Sequence, residues 1–494
     1  MRHAVGTGDP GRVQVLVIGS GAGGAVTALE LARSGLDVCV LEQGSRWDLG
    51  DYGHGSVDAM RRLYRGRGMT PILGPVPIGY VEGACVGGST EINSGFWHRT
   101  PREVLLRYKA QFDLQHASAD ELAPHFASAE ELLDVGPHDG PLPKSTEVFA
   151  RGVRAMGWAA QEVPRAAPGC QSTNACATGC PTGAKQGMSR AVIPAAKAAG
   201  ARLVSDCSVR LLLAHRNRIT GVLAELSRDG GRRDLVRIDA DHVFVCGGPT
   251  EGPALLRRSG IKHHVGDSLR VHPMLKVAAQ FPERIDAHES VLPLLQVKEF
   301  WPEISLGGAF FTLGHLGLVL SENWNETSRH MSRYRNMASY YVAVRGSGRG
   351  SVRPSLLGDG APVVRYELSD EDTMNLSKGL ARLATLLLAA GATHVHPTVQ
   401  NLPTIRSEVE AVRWLDERLP RSALSLTTVH AFSSCPIGER RDRCAADSFG
   451  KVHRYENLYV NDASMLPDSP GVNPQASVMA LARRNAIHFR ESLR

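Results

Sequence analysis

No stretch of the chain approaches the ~20 consecutive apolar residues that a membrane-spanning helix requires. The first twelve residues, MRHAVGTGDPGR, hold neither an apolar core nor a twin-arginine pair, so no export signal is expected and a cytoplasmic location is the default. Charge of one sign is also scarce. The 56 Lys and Arg are nearly balanced by 50 Asp and Glu, for a net charge of +6. The basic residues are dispersed among acids, which argues against a nucleic-acid partner. Cysteines number nine, an odd count that does not suit a secreted disulfide framework. What remains is a soluble globular composition, 43% hydrophobic, and 494 residues call for two domains.

The most informative stretch lies near the start. Val13–Ile18 is a short β-branched run suited to a strand buried on both faces. Gly19, Gly21 and Gly24 follow in G-x-G-x-x-G spacing, Ala25–Ala32 has helical periodicity, and Val38–Leu41 reads as a second strand ending in Glu42. Gly19 permits a tight turn, Gly21 lets backbone approach a pyrophosphate, and Gly24 lets helix and strand pack closely. The helix N-terminus offers free N–H groups to the phosphates. Glu42, 18 residues beyond Gly24, is placed to bind both ribose hydroxyls and disfavours a 2′-phosphate. This context predicts a dinucleotide site and argues against NADP; FAD and NAD stay open on these residues alone.

Residues 44–75 show no clear period and read as an excursion carrying Trp47, Tyr52, His54 and Tyr64. Then GACVGGSTEINSGFWHRTP (83–101) places Gly87 and Gly88 before Ser89, Thr90 and Asn93. This stretch resembles the first signature of the glucose–methanol–choline (GMC) flavoprotein oxidoreductases, whose G-G-S-S-x-x-N loop lies against FAD. Some members attach the flavin to a histidine just before that asparagine. Ile92 stands there, so the resemblance implies non-covalent FAD.

Further motifs follow in family order. Val209 sits where the family contacts the adenine through its backbone. GPTEGPALLRRSGI, from Gly248 to Ile261, resembles the second signature, with Gly252 and Lys262 departing from it. NLYVNDASMLPDSPGVNPQASVMALARRNA resembles the C-terminal region, in which Asp462 and the Asn473, Pro474, Gln475 turn border the flavin. The resemblance implies His430 as catalytic base and Asn473 as its partner. The chemistry suits these types: a neutral imidazole accepts the hydroxyl proton, and an amide holds the oxygen and aims the carbon. Cys435 near His430 leaves a thiol nucleophile as an alternative, without a third orienting group.

Cys170, Cys176 and Cys180 occur in C-x5-C-x3-C spacing, and thiolates so grouped are soft ligands. The stretch is similar to one in bacterial FAD-dependent sugar dehydrogenases of the family, where three cysteines hold a [3Fe–4S] cluster. Further branches of the family carry a related stretch without one, and a cysteine-rich loop, with or without a disulfide, is the alternative. Lys185 and Gln186 read as structural.

The expected architecture is α/β (α+β overall). A Rossmann-like FAD-binding domain is discontinuous over 1–100, 200–265 and 425–494; 101–199 is a connecting, cysteine-rich segment; a substrate domain with a mixed or antiparallel sheet spans 266–424. Expected elements there include strands at Lys276–Phe281, Tyr340–Val344 and Val363–Leu368, and a helix at Asp370–Ala390. The expected function is oxidation of a sugar, polyol or hydroxymethyl group, as in an aminoglycoside, to the aldehyde or ketone by hydride transfer to flavin. Electrons would pass to an acceptor protein or quinone, otherwise to O2 as in an alcohol oxidase. A non-redox flavin lyase and a flavin-bound protein without turnover are the competing functions.

Overall fold

Val13–Ile18 is apolar because both its faces are covered. In the computed structural model, which describes residues 11–493 apart from 53–54, 229–230 and 356–360, it forms most of strand β1 (Arg12–Ile18). Residues 1–10, read above for an export signal, and His54 lie outside the described residues. β1 runs parallel to β2 (Val38–Leu41) on one side and to the C-terminal half of Arg233–Val245 on the other, with Val17 opposite Val40 and Phe244. Arg202–Val204 continues the parallel set beyond β2, and Leu458–Val460 pairs with Val243–Val245. The N-terminal half of Arg233–Val245 instead joins Arg218–Ser227 and Cys207–His215 in an antiparallel arrangement. One sheet therefore draws strands from the beginning, middle and end of the chain.

Helix α1 (Ala22–Ala32) begins earlier than its apolar period suggests, because Gly21 is its N-cap. It is buried almost all round, packed against Gln475–Ser492 and Val192–Ala198. Two glycines make the strand–helix junction. Gly19 has φ +105°, and a Cβ on Gly24 would stand 2.0 Å from the Gly19 carbonyl oxygen.

A second, nine-stranded sheet is mixed but mainly antiparallel. Its centre is Met274–Gln280 paired with Met337–Val344, and Ile304–Gly308 and Leu295–Val297 follow outward. Thr70–Ile72, from the segment read as an excursion without clear period, joins it together with Ile78–Tyr80 just beyond, as does Ala160–Glu162. That segment further holds a helix, Ser56–Leu63. Pro362–Glu367, expected in the main sheet, instead forms a separate ribbon with Arg349–Pro354.

The helix Asp370–Ala389 lies on one face of this sheet, started by a capping box between Ser369 and Asp372. Its Leu376, Leu380, Leu383 and Leu387 are buried, and Gly379 lets it approach Val342. Tyr340, Val342 and Val344 point to that face. The alternation of the strand turns Ser339, Tyr341 and Ala343 to the other side, where they line a cavity. Among the described residues no helix is long and apolar enough to cross a membrane.

Candidate active site

A cavity of about 1610 Å3 runs between the two sheets. That exceeds the ~300–1,000 Å3 of an ordinary small-ligand site, leaving room for a dinucleotide and a second molecule. Gly19, Gly21, Glu42, Gly88, Ser89, Asn93, Val209, Gly248 and Asp462 line it, as do Asn473, Pro474, Gln475 and His430. Gly24 and Gly87 lie behind the wall: Gly24 against the Gly19 carbonyl, and Gly87 donating its N–H to Ser20 Oγ at 3.0 Å.

The dinucleotide end fits FAD in three respects. A Cβ on Gly21 would meet nothing within 4 Å, so the open space begins at its backbone. No side chain caps α1, so its first N–H groups face the cavity without acceptors. Glu42 is buried, and its carboxylate is fixed by Ser20 N and Oγ on Oε2 (3.0 and 2.8 Å) and Gly44 N on Oε1 (2.9 Å), which leaves one lone pair, on Oε1, for a ribose hydroxyl. Burial pushes its carboxyl pKa up against the lowering pull of those bonds. Asp462 ties two loops together by accepting from Gly248 N and Ser464 N, both at 2.7 Å. Asn93 Nδ2 donates to Gln475 Oε1 at 2.6 Å, joining the glycine loop to the C-terminal turn. Ile92, in the wall, offers no atom for a covalent flavin link.

The opposite end is built on two histidines. Val271 pairs with Ala431 in a two-residue antiparallel bridge, which brings His272 beside His430. Thr428 Oγ1 donates to the His430 carbonyl at 2.9 Å and accepts from its N–H at 3.2 Å, turning the chain after Leu426–Thr428. His430 Nε2 lies 3.2 Å from Asn473 Nδ2, and His430 Nδ1 lies 3.1 Å from His272 Nδ1. His272 Nε2 lies 2.9 Å from Ser469 Oγ, whose hydroxyl donates to the Arg345 carbonyl.

This chain fixes the tautomers. The Arg345 carbonyl can only accept, so Ser469 gives its proton there and accepts from His272 Nε2–H. His272 Nδ1 is then bare and accepts from His430 Nδ1–H. His430 Nε2 is left with its lone pair at the cavity wall, where it accepts from Asn473 Nδ2–H. Burial pushes His430 down to about 4, and burial together with neighbouring His430 pushes His272 well below the usual range, so both rings are neutral near pH 7. His98, buried with both ring nitrogens unpartnered, is pushed to about 3 by burial and by Lys298.

Sequence reasoning missed His272 and His98. It also missed Glu82, which accepts from Arg65 Nε (2.9 Å) and Thr250 Oγ1 (2.7 Å) at the cofactor end. Cys435 is no nucleophile partner: its thiol is buried and pushed up in pKa, and no hydrogen bond joins it to His430 among the described residues.

The three grouped cysteines do not line the cavity, and the expected [3Fe–4S] cluster finds no support in their surroundings. Buried Arg165 points one guanidinium nitrogen at Cys170 Sγ and another at Cys176 Sγ, each at 3.4 Å, while Cys180 Sγ lies 3.3 Å from Thr182 Oγ1. Two of the three thiols are thus already hydrogen-bonded to one cation. All nine cysteines are free thiols. Burial raises the Cys180 pKa, but hydrogen bonds from Thr182 and the Lys185 backbone outweigh it, for a net lowering. Lys185 is structural in the way expected: buried, its Nζ donates to the carbonyls of Glu91 (2.7 Å), Asn93 (2.9 Å) and Cys176 (2.7 Å).

Comparison with known proteins agrees with this construction. Residues 15–274 and 347–482 match the N- and C-terminal family models of GMC oxidoreductases. The chain is 40% identical to the GMC-type oxidoreductase y4nJ of Sinorhizobium fredii, over 95% of this chain and 93% of that one. It is 27% identical to long-chain-alcohol oxidase FAO3 of Arabidopsis thaliana, over 95% of this chain and 67% of that one. The structure of pyridoxine 4-oxidase from Mesorbium loti superposes with a TM-score of 0.72 at 17% identity, covering 97% and 99% of the two chains. The chain belongs to the GMC oxidoreductases, FAD flavoenzymes acting on CH–OH groups.

Proposed function

We propose that the protein oxidises an alcohol to an aldehyde or ketone, with His430 as base and Asn473 orienting the oxygen. The observation that carries this is the hydrogen-bonded chain from the Arg345 carbonyl through Ser469 and His272, which leaves His430 Nε2 unprotonated, an acceptor for the Asn473 amide N–H that a substrate hydroxyl can replace. A substrate hydroxyl between the two gives its proton to Nε2, and the Asn473 N–H steadies the oxygen as charge builds on it. FAD, when bound, supplies the acceptor for the carbinol hydride. Gly21 and the α1 N-terminus would receive its pyrophosphate, Glu42 its ribose, and Val209 its adenine.

Cofactor binding is assigned to 1–100, 200–265 and 425–494, and substrate binding to 266–424, bridged by 101–199. Thr70–Tyr80 and Ala160–Glu162 are lent to the substrate sheet. An electron-relaying dehydrogenase would rest on a cluster at the cysteines, for which the surroundings give no support; dioxygen is the acceptor we favour. Mixing the FAD-loaded enzyme with alcohols without oxygen tests the main reading. Substrate-dependent bleaching near ~450 nm, abolished in His430→Ala, is expected. Binding of an alcohol without bleaching would refute oxidation and favour a lyase. Oxygen uptake then tests the acceptor, and about three irons with acid-labile sulfide per FAD would restore the relay.

A further inference from the structure

Lys276 stands on the cavity face of the second sheet, two residues beyond Met274 and four beyond His272, all three lining the cavity. Lys276 is half-buried, and a lysine so far withdrawn from bulk water is usually paired. Among the described residues no carboxylate lies within 4.0 Å of Lys276 Nζ, and no hydrogen-bond acceptor is in place for it. Burial alone pushes its pKa below the usual range.

The strand register surrounds it with donors. Lys276 is opposite Tyr341, Tyr341 is opposite Gly307, and Gly307 is opposite Gln296, so the four share one face in a row across the sheet. Gly307 has no side chain, and a Cβ there would stand 2.8 Å from the Tyr341 hydroxyl; its absence lets that hydroxyl reach Gln296. Lys298 Nζ donates to Gln296 Oε1 at 2.8 Å, and Gln296 Nε2 donates to Tyr341 Oη at 2.7 Å. Ser305 is a second partner of that hydroxyl and, like Gln296, favours its oxygen as acceptor, so the Tyr341 proton is left for a further acceptor. Ser339, two residues before Tyr341 on the same face, has a buried hydroxyl without a partner.

Resting on the reading of this end as the alcohol site, we propose that the alcohol carries an oxyanion, a carboxylate or phosphate ester, held by Lys276, Ser339 and Tyr341. Lys298 adds positive charge and, through Gln296, aims the Tyr341 hydroxyl. At ~3.3 Å per residue, Lys276 and His272 are about 13 Å apart along the strand, so carbinol and anion are separated by several bonds. A polycationic aminoglycoside would meet repulsion here.

The test uses the FAD-loaded enzyme and ω-hydroxyalkanoates of four to twelve carbons, the matching ω-hydroxyalkyl phosphates, and the matching n-alkanols. Thermal shifts with dicarboxylates and alkyl phosphates of the same lengths, which lack the hydroxyl, read binding without turnover. The anionic series is expected to exceed the alkanols at least ~10-fold in kcat/KM, the range of one hydrogen bond to a charged group. That preference should collapse in Lys276→Met, persist in Lys276→Arg and weaken several-fold in Tyr341→Phe. The better of the two anionic series identifies the oxyanion. Alkanols oxidised within ~3-fold of both anionic series, with no thermal shift from any anion, would overturn the proposal and leave alcohol oxidation standing. Lys276-dependent shifts with no alcohol oxidised would support the anion site and sink the oxidation reading. If Lys276→Met does not fold, the Lys276→Arg and Tyr341→Phe pair decides.

Discussion

His272 acts on the proposed base through its bond to His430 Nδ1, so its replacement isolates the tautomer argument. In His272→Leu, His430 Nδ1–H loses its acceptor in a buried setting, which costs about 1–3 kcal/mol. The ring can escape that cost by moving its proton to Nε2 and donating to a turned Asn473 amide. That tautomer has no lone pair on the cavity side and cannot take the hydroxyl proton. Either route lowers the productive population, so kcat/KM should fall about 5- to 150-fold, the same free energy expressed as a rate. His272→Gln is the control. Its Oε1 can accept from His430 Nδ1 and its Nε2 can donate to Ser469 Oγ, so activity should return to within about 5-fold of the parent, since both bonds are remade. The assay is the anaerobic rate of flavin bleaching across pH, with thermal denaturation of each variant to confirm folding. A fully active Leu variant would refute the relay, and a Gln variant as poor as Leu would reduce His272 to a packing role.

The pH profile should carry an acid limb near 4 rather than 6.5, because His430 must be neutral to accept a proton and burial holds it at about 4. Stability should follow the same sign: the unfolded histidine binds its proton from 6.5 downward, so the stabilisation is complete above 6.5 and is lost as pH falls to about 4, which urea titrations would read as roughly 1.4 kcal/mol per pH unit per such histidine. Lys185→Met strands three carbonyls and should cost about 3 kcal/mol or more with weakened FAD retention; an unchanged Tm would refute its anchoring role. Gly24→Ala should destabilise the protein even without FAD, by about 1–3 kcal/mol or more. Gly21→Ala, whose Cβ meets only open space, should leave the FAD-free Tm in place while weakening FAD binding, and the reverse pattern would contradict the assigned roles.

These positions also show what a sequence can and cannot disclose. The β1–turn–α1 unit was legible because its constraints are local: Gly24 meets Gly19 five residues away. His430 and Asn473 were found only through the resemblance, since 43 residues separate them. His272 lies 158 positions from His430, and the two-residue pairing that joins them leaves no periodic trace. The cysteines misled for a related reason. Their spacing describes the chain, but the group that meets two of the thiols is the Arg165 side chain, and only the fold shows that it turns inward. Alternation over Tyr340–Val344 announced a strand, which the fold extends back to Met337, without saying what each face met. One face met a helix, where apolar residues satisfy it completely. The opposite face kept Ser339 and Tyr341 over a cavity, opposite a lysine with no acid to balance it. A polar residue on such a face costs stability unless something outside the chain completes it. That cost, visible only after register places the residues together, is why Lys276 and Ser339, without partners among the described residues, point to a ligand and the paired residues beneath them do not.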